Sequence, residues 1–280
     1  MTNKKRMSQT IFFILVLGGC LFTLYPLAWM ISSSFKPELL IFQDRSLIIR
    51  EFTLENYIRG FAGIGGVPYW RFMVNTFTVV IPVVIGTILS SAMTGYAFVR
   101  LNFIGRRFYF IIMLAMLMIP MHALLIPRFI LFNELGWINT FLPLIVPAFF
   151  GTGSFFVFLF VQFIRGIPKE IDQSATVDGC NPVQVFLLIV LPLSKPAIVT
   201  AGIFAFIWTY DDFFSQLLYI SSPRLFTIAL GLRQYFDALE RSAFGVLFAM
   251  SAVSLIPLLV VFILCQKYLV AGIATSGIKG

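Results

Sequence analysis

Asp211 and Asp212 are the residues best placed to do chemistry in this chain. They interrupt the run Phe204-Ala205-Phe206-Ile207-Trp208-Thr209-Tyr210-Asp211-Asp212-Phe213-Phe214, which is otherwise apolar and aromatic except for Thr209. A helix entered near Ala197 and rising ~1.5 Å per residue carries Asp211 roughly 21 Å along its axis, and a carboxylate at that depth of an apolar segment does not face lipid. Two readings stand side by side. In one, Tyr210, Asp211 and Asp212 line or gate a polar path, where acceptors beside aromatic rings suit a hydroxyl-rich solute. In the other, the helix unwinds here and the two aspartates cap or solvate the break. A rival function class, an ion-coupled secondary carrier, would use Asp211 and Asp212 to bind the coupling ion. The sole histidine, His122, has neither metal-ligand spacing nor a triad partner, so it reads as structural or interfacial rather than as part of a membrane enzyme. Cys20, Cys180 and Cys265 lie far apart with no CxxC pair and read as unpaired, small apolar residues.

The elements that must carry these residues are set by composition. Of 280 residues, 59% are hydrophobic and 11% charged, against ~45 to 50% and ~25% in soluble globular proteins, so a soluble fold is excluded. A membrane span needs about 20 mainly apolar residues to cross roughly 30 Å of hydrocarbon. Apolar length against polar interruption predicts six spans, near Ile11 to Ile31, Phe72 to Val99, Phe108 to Leu131, Phe141 to Ile164, Ala197 to Ile220 and Phe244 to Leu264. The first follows Lys4, Lys5 and Arg6 but is too long for a cleaved leader, so it reads as a retained span. The fold class is all-α, a polytopic membrane protein. The net charge of +8 comes from scattered residues and forms no face for a phosphate backbone, which argues against nucleic acid.

Charge placement orients the spans. With the N-terminus cytoplasmic, the inner segments hold Lys4, Lys5, Arg6, Arg100, Arg106, Arg107, Arg165, Lys169, Lys195, Lys267 and Lys279 against Glu170, Asp172 and Asp178, while charges in the outer segments balance. Both termini are therefore predicted to be cytoplasmic. Pro82, Pro120, Pro147 and Pro257 fall inside predicted spans, where each removes a backbone donor and tends to kink its helix. Met113, Met116, Met118 and Met121 read as flexible core filling rather than a soft-metal path. Five of the six spans lack an interior acidic residue, which disfavours ion coupling, and no GxxxxGK[ST] phosphate loop occurs. Energy, if used, must come from another polypeptide.

The segment between the fourth and fifth spans, 166 to 195, reads as two short helices around a glycine elbow. Pro168 suits the first position of a helix, Glu170 and Asp172 complement the positive end of its dipole, and Gly179 ends it. Asn181 and Pro182 start a second helix running to Pro192. Ile171, Ala175, Val183 and Phe186 are candidate anchors for docking in a partner's groove. An amphipathic hairpin lying on the membrane surface is the alternative.

This loop resembles the signature of ABC importer permeases, E-A-A, three residues, G, nine residues, I-x-L-P. Here it reads Gln173-Ser174-Ala175, Gly179, then Ile189-Val190-Leu191-Pro192, with Gln173 where the family often has Glu and Ser174 where it often has Ala. Further stretches extend the resemblance over nearly the whole chain, toward carbohydrate permeases similar to the second membrane subunit of the maltose importer. They include Tyr25-Pro26-Leu27, Ser33-Ser34-Phe35-Lys36-Pro37, Glu55-Asn56-Tyr57, Asn75-Thr76, Gly95-Tyr96-Ala97-Phe98, Ala175-Thr176-Val177-Asp178-Gly179 and the final Ser276-Gly277-Ile278-Lys279-Gly280. The resemblance implies one transmembrane domain over 1–280, with a core near 72–268, an additional span at 11–31 and a cytoplasmic coupling loop at 166–195. It implies a homologous second permease, two cytoplasmic ATPases that bind the ATP and Mg, an extracytoplasmic solute-binding protein, and a place in the bacterial inner membrane. Glu170, Asp172, Gln173, Ser174, Ala175, Asp178, Gly179, Pro182, Leu191 and Pro192 would form the ATPase-coupling element, with Glu170 or Asp172 able to supply an ion pair that Gln173 cannot. Tyr210, Asp211, Asp212 and Asn75 would belong to the translocation path. No cofactor or metal is expected in the chain itself.

Overall fold

Apolar runs become helices, and prolines and glycines mark where those helices stop or turn. The computed structural model describes residues 3–237 and 244–276. In chain order the helices are α1 (Asn3–Ser34), α2 (Glu38–Gln43), α3 (Glu55–Ala62), α4 (Tyr69–Arg100), α5 (Arg106–Leu117), α6 (Leu125–Glu134), α7 (Leu142–Ile145) and α8 (Ser154–Arg165). They continue with α9 (Lys169–Val177), α10 (Pro182–Val185), α11 (Leu191–Leu193), α12 (Lys195–Tyr210), α13 (Phe214–Tyr219), α14 (Ile228–Asp237) and α15 (Phe244–Ser276). Among the described residues the nearest approach to a strand is one isolated bridge, Ile64 to Val67.

Among the described residues four stretches are long and apolar enough to cross a membrane: Gln9–Ser34, Tyr69–Arg100, Leu142–Arg165 and Phe244–Gln266. Two bent pairs, Arg106–Leu117 with His122–Glu134 and Pro182–Leu193 with Lys195–Tyr210, raise the count to six if each pair is one span. The segment expected as one helix from Phe108 to Leu131 instead breaks after Leu117. Pro120 lacks an N–H and disfavours helical geometry at Ile119, and the chain resumes through a 3₁₀ turn over Met121–Leu124. The stretch expected from Phe141 to Ile164 is interrupted by a 3₁₀ turn at Val146–Phe150 and by Gly151 at φ 64°. The span expected from Ala197 to Ile220 breaks after Tyr210, as in the reading that unwinds the helix at Asp211 and Asp212. Pro82 and Pro257 by contrast sit inside helices that continue through them.

The described residues fall into two compact units. The first comprises residues 1–70 and 231–256. The apolar side chains of α1 from Ile11 to Tyr25 point outward all round, as on a helix solvated by hydrocarbon. Beyond its end, polar groups hold the chain. The Lys36 ammonium donates to the carbonyls of Asp44 and Ser46, and the Asn56 amide donates to those of Ser34 and Lys36. The Glu38 carboxylate accepts the N–H groups of Phe244 and Gly245, an anion on the unsatisfied first turn of α15. Tyr69 and Tyr235 add hydroxyl bonds to the carbonyls of Met250 and Gly60. Hydrogen bonds from Ser46, aided by Arg50 and Lys36, hold the Asp44 carboxyl below its usual range.

The second unit comprises residues 71–230 and 257–280. Its larger core joins Ala92, Tyr96 and Val99 of α4 to Phe156, Phe160, Val161 and Ile164 of α8. On α12 the buried residues Ala197, Ala201 and Ala205 recur every four positions, a small-residue stripe that lets helices approach closely. A second cluster gathers Phe132, Tyr219, Ile220 and Leu230.

Candidate functional site

The elbow between α9 and α10 is built by local rules. Pro168 stands one residue before α9 as its N-cap rather than at its first position, and Glu170 and Asp172 occupy the first turn. Gly179 ends the helix with φ 90°. Its N–H bonds to the Thr176 carbonyl and the Cys180 N–H bonds to the Ala175 carbonyl, which is the Schellman pattern. Asn181 then forms a capping box: its side chain accepts from the Gln184 N–H while the Gln184 side chain accepts from the Asn181 N–H. From Pro182 the helix passes through a π turn at Phe186–Val190, carrying Leu191 and Pro192, and runs to Leu193, one residue past the expected end.

This hairpin has two distinct faces. Glu170, Ile171, Gln173, Ser174, Val177, Asp178 and Gly179 are exposed. Ala175, Val185, Phe186 and Val190 are buried in the same core as α4 and α8. Of the four expected apolar anchors, Ile171 and Val183 point outward, but Ala175 and Phe186 are used up inside the chain's own core, because the hairpin lies against α4 instead of standing free. Val177, not among the expected anchors, is 87% exposed. Asp172 turns inward to an ion pair with Arg100, the two side chains being 15% and 7% exposed. Arg100 also donates to the Ile167 carbonyl at 2.8 Å, and the Tyr96 hydroxyl donates to the Pro182 carbonyl at 3.0 Å. The last turns of α4 therefore hold both helices of the hairpin. Sequence reading missed Tyr96 and Arg100 as members of this site; a cation closing an apolar helix was the available signal.

The second candidate group does not assemble as one site. Tyr210 is buried and stacks on Phe206 at 5.6 Å. Asp211 is exposed at the end of α12. The Asp212 carboxylate accepts the Ser215 N–H at 3.1 Å, so it satisfies the first turn of α13. Asn75, 3% exposed, gives its amide hydrogens to the carbonyls of Arg224 and Phe226, and Thr76 accepts the Ile228 N–H. The Asn75 amide thus fixes a loop rather than facing an open path. His122 packs edge-on against Phe214 at 5.4 Å, and among the described residues no group of His, Cys, Asp and Glu could hold a metal.

Comparison with known proteins places this geometry in a family. The family described as the binding-protein-dependent transport system inner membrane component matches residues 83–275. An arabinooligosaccharides transport system permease protein of Halalkalibacterium halodurans is 31% identical over 99% of this chain and 100% of its own length. The trehalose/maltose transport system permease protein of Thermococcus litoralis is 29% identical over 95% of this chain and 96% of its own. An sn-glycerol-3-phosphate transport system permease protein of Brucella abortus is 28% identical over 99% of both. The same fold occurs in a bacterial ABC transporter that imports alginate, with a TM-score of 0.83 and 20% identity over 96% of this chain and 98% of that one. The chain belongs to the binding-protein-dependent transport system inner membrane component family.

Proposed function

We propose that this chain is the membrane-spanning permease subunit of an ABC importer, forming half of the path for a carbohydrate and taking its energy from separate ATPase subunits. The observation that carries the proposal is the hairpin of residues 169–193, locked to α4 on one face and presenting Ile171, Gln173, Ser174, Val177 and Asp178 on the other. A partner that seats this outer face can move the inner one. Each bent pair counts as one span in this reading, giving six within a single transmembrane domain, with the hairpin and both termini cytoplasmic in the bacterial inner membrane. The terminal residues 277–280, which resemble the family's ending, lie outside the described residues. ATP and Mg belong to the two ATPase partners, and a second permease and an extracytoplasmic binding protein complete the importer. Arabinooligosaccharides, trehalose, maltose and sn-glycerol 3-phosphate, named for the relatives, support a carbohydrate or a related polyol phosphate as solute.

The ion-coupled carrier has little support, since Asp212 is engaged with Ser215. The test is uptake by vesicles holding this chain, its second permease, the ATPases and the binding protein. ATP is expected to be required, and Gln173→Cys is expected to cross-link to an ATPase. Uptake driven by a proton or sodium gradient without ATP would refute the proposal.

A further inference from the structure

We propose that α4 is a rod through which the 169–193 hairpin moves the segment 222–228, gripped by Arg100 and Tyr96 at one end and by Asn75 and Thr76 at the other. The inference rests on the docking function proposed above and adds the route by which docking is felt across the bundle.

Both helices of the hairpin are held at the near end. Arg100 pairs with Asp172 on α9 and bonds to the Ile167 carbonyl just before it, while Tyr96 bonds to the Pro182 carbonyl at the start of α10. The pair is largely enclosed, so sliding the hairpin off α4 would leave two charges without their partner. At the far end Asn75 holds the carbonyls of Arg224 and Phe226, and Thr76 takes the Ile228 N–H. Between the grips lies one unbroken helix, about 38 Å from Asn75 to Arg100 at the α-helical rise. It can shift along its axis only by carrying both ends.

The far segment is tied in turn to the region of the aspartates. Thr227 bonds to the Gln216 side chain on α13, and the Ser222 N–H and hydroxyl both bond to the Asn139 side chain. Asp212 caps α13. Contacts therefore run without a gap from the hairpin to the break after α12, the physical continuity that transmission between distant sites requires.

The experiment uses the complete importer in vesicles, with the three cysteines replaced and Ser221→Cys, an exposed position beside the far grip, labelled by a membrane-impermeant maleimide. ATP with vanadate, which arrests the ATPases closed, is the probe. In the parent importer the probe is expected to change the labelling rate. Asp172→Asn is expected to shrink that change roughly fivefold or more, and Arg100→Asp with Asp172→Arg to restore most of it. Should Asp172→Asn fail to assemble, Asn75→Ala tests the same rod from its other end, with the same loss expected. An unchanged response in either assembled variant overturns the rod. Failure of the ATPases to co-purify with the parent chain would overturn the proposed function, and the rod with it.

Discussion

Lys36 places its buried ammonium 2.9 Å from the main-chain carbonyl of Asp44, and the Ser46 carbonyl lies 2.6 Å from the same nitrogen. Only 2% of Lys36 is exposed, so these charge-assisted bonds stand in for water. They pin the 44–50 loop to the end of α1. Lys36→Met keeps the aliphatic stem and removes both bonds, at about 1.5–3 kcal/mol for each bond to a charged group. The loop carries Arg45 and Arg50, both exposed. Trypsin is expected to cut there at least about tenfold faster in the variant, as local opening becomes easier. Equal cleavage rates would show that the two bonds hold nothing.

Gly179 separates backbone from charge at the proposed docking face. Its φ of 90° is costly for side chains other than Asn or Asp, while an added Cβ would meet nothing within 4 Å. Gly179→Ala should therefore weaken the elbow by about 1–2 kcal/mol through conformation alone. Gly179→Asn and Gly179→Asp share a small backbone cost, but the second adds a negative charge beside Asp178. Immunoblots are expected to find all three in the membrane. ATP-coupled transport should persist in the Asn variant and be lost in the Asp variant. Equal transport by the two would contradict docking through this surface.

The elbow was legible because its determinants are local: Gly179, Asn181 and Pro182 act on their own neighbours. Its orientation was not. Ala175 and Phe186 looked like free anchors because nothing in their spacing tells that Arg100 and Tyr96, distant in the chain (Tyr96 is 86 residues before Pro182), would take the inner face. Hydropathy likewise ran the segment from Ala197 past Tyr210, since Phe213 and Phe214 continue the apolar run, whereas the carboxylate of Asp212 starts a new helix. Lys36 stood out only as part of the stretch Ser33-Ser34-Phe35-Lys36-Pro37; burial of a lysine against carbonyls leaves no local mark.

Asp211 and Asp212 should behave differently although they are neighbours. Asp212→Ala removes the acceptor for the Ser215 N–H and is expected to cost about 1 kcal/mol of stability, most of which Asp212→Ser should recover. Asp211 is exposed and closes α12 instead. Asp211→Ala is expected to assemble normally yet lower transport about tenfold, the value of one ~1.4 kcal/mol hydrogen bond to the solute. Thermal denaturation in detergent and vesicle uptake measure the two effects. If Asp211→Ala impaired assembly instead, its role would be structural like that of its neighbour.

Two glycines on packed helices give opposite expectations for the same substitution. At Gly95 on α4 an added Cβ would sit 2.8 Å from the Phe160 Cβ and 3.2 Å from the Val161 nitrogen. Neither atom can swing aside, because one is fixed to the α8 backbone and the other belongs to it. Overpacking of this kind costs about 1–3 kcal/mol, more than the ~1 kcal/mol that alanine gains over glycine in a helix. At Gly202 on α12 the nearest atom would be the Ile88 Cδ1 at 3.5 Å, an ordinary contact at the end of a flexible side chain. Gly95→Ala should therefore lower the denaturation temperature of the detergent-solubilised protein, whereas Gly202→Ala should leave it unchanged or raise it. The Gly95 result bears on function as well, since close approach of α8 steadies the end of α4 that carries Tyr96 and Arg100. A Gly95→Ala protein as stable as the parent would mean that α4 and α8 do not meet this closely.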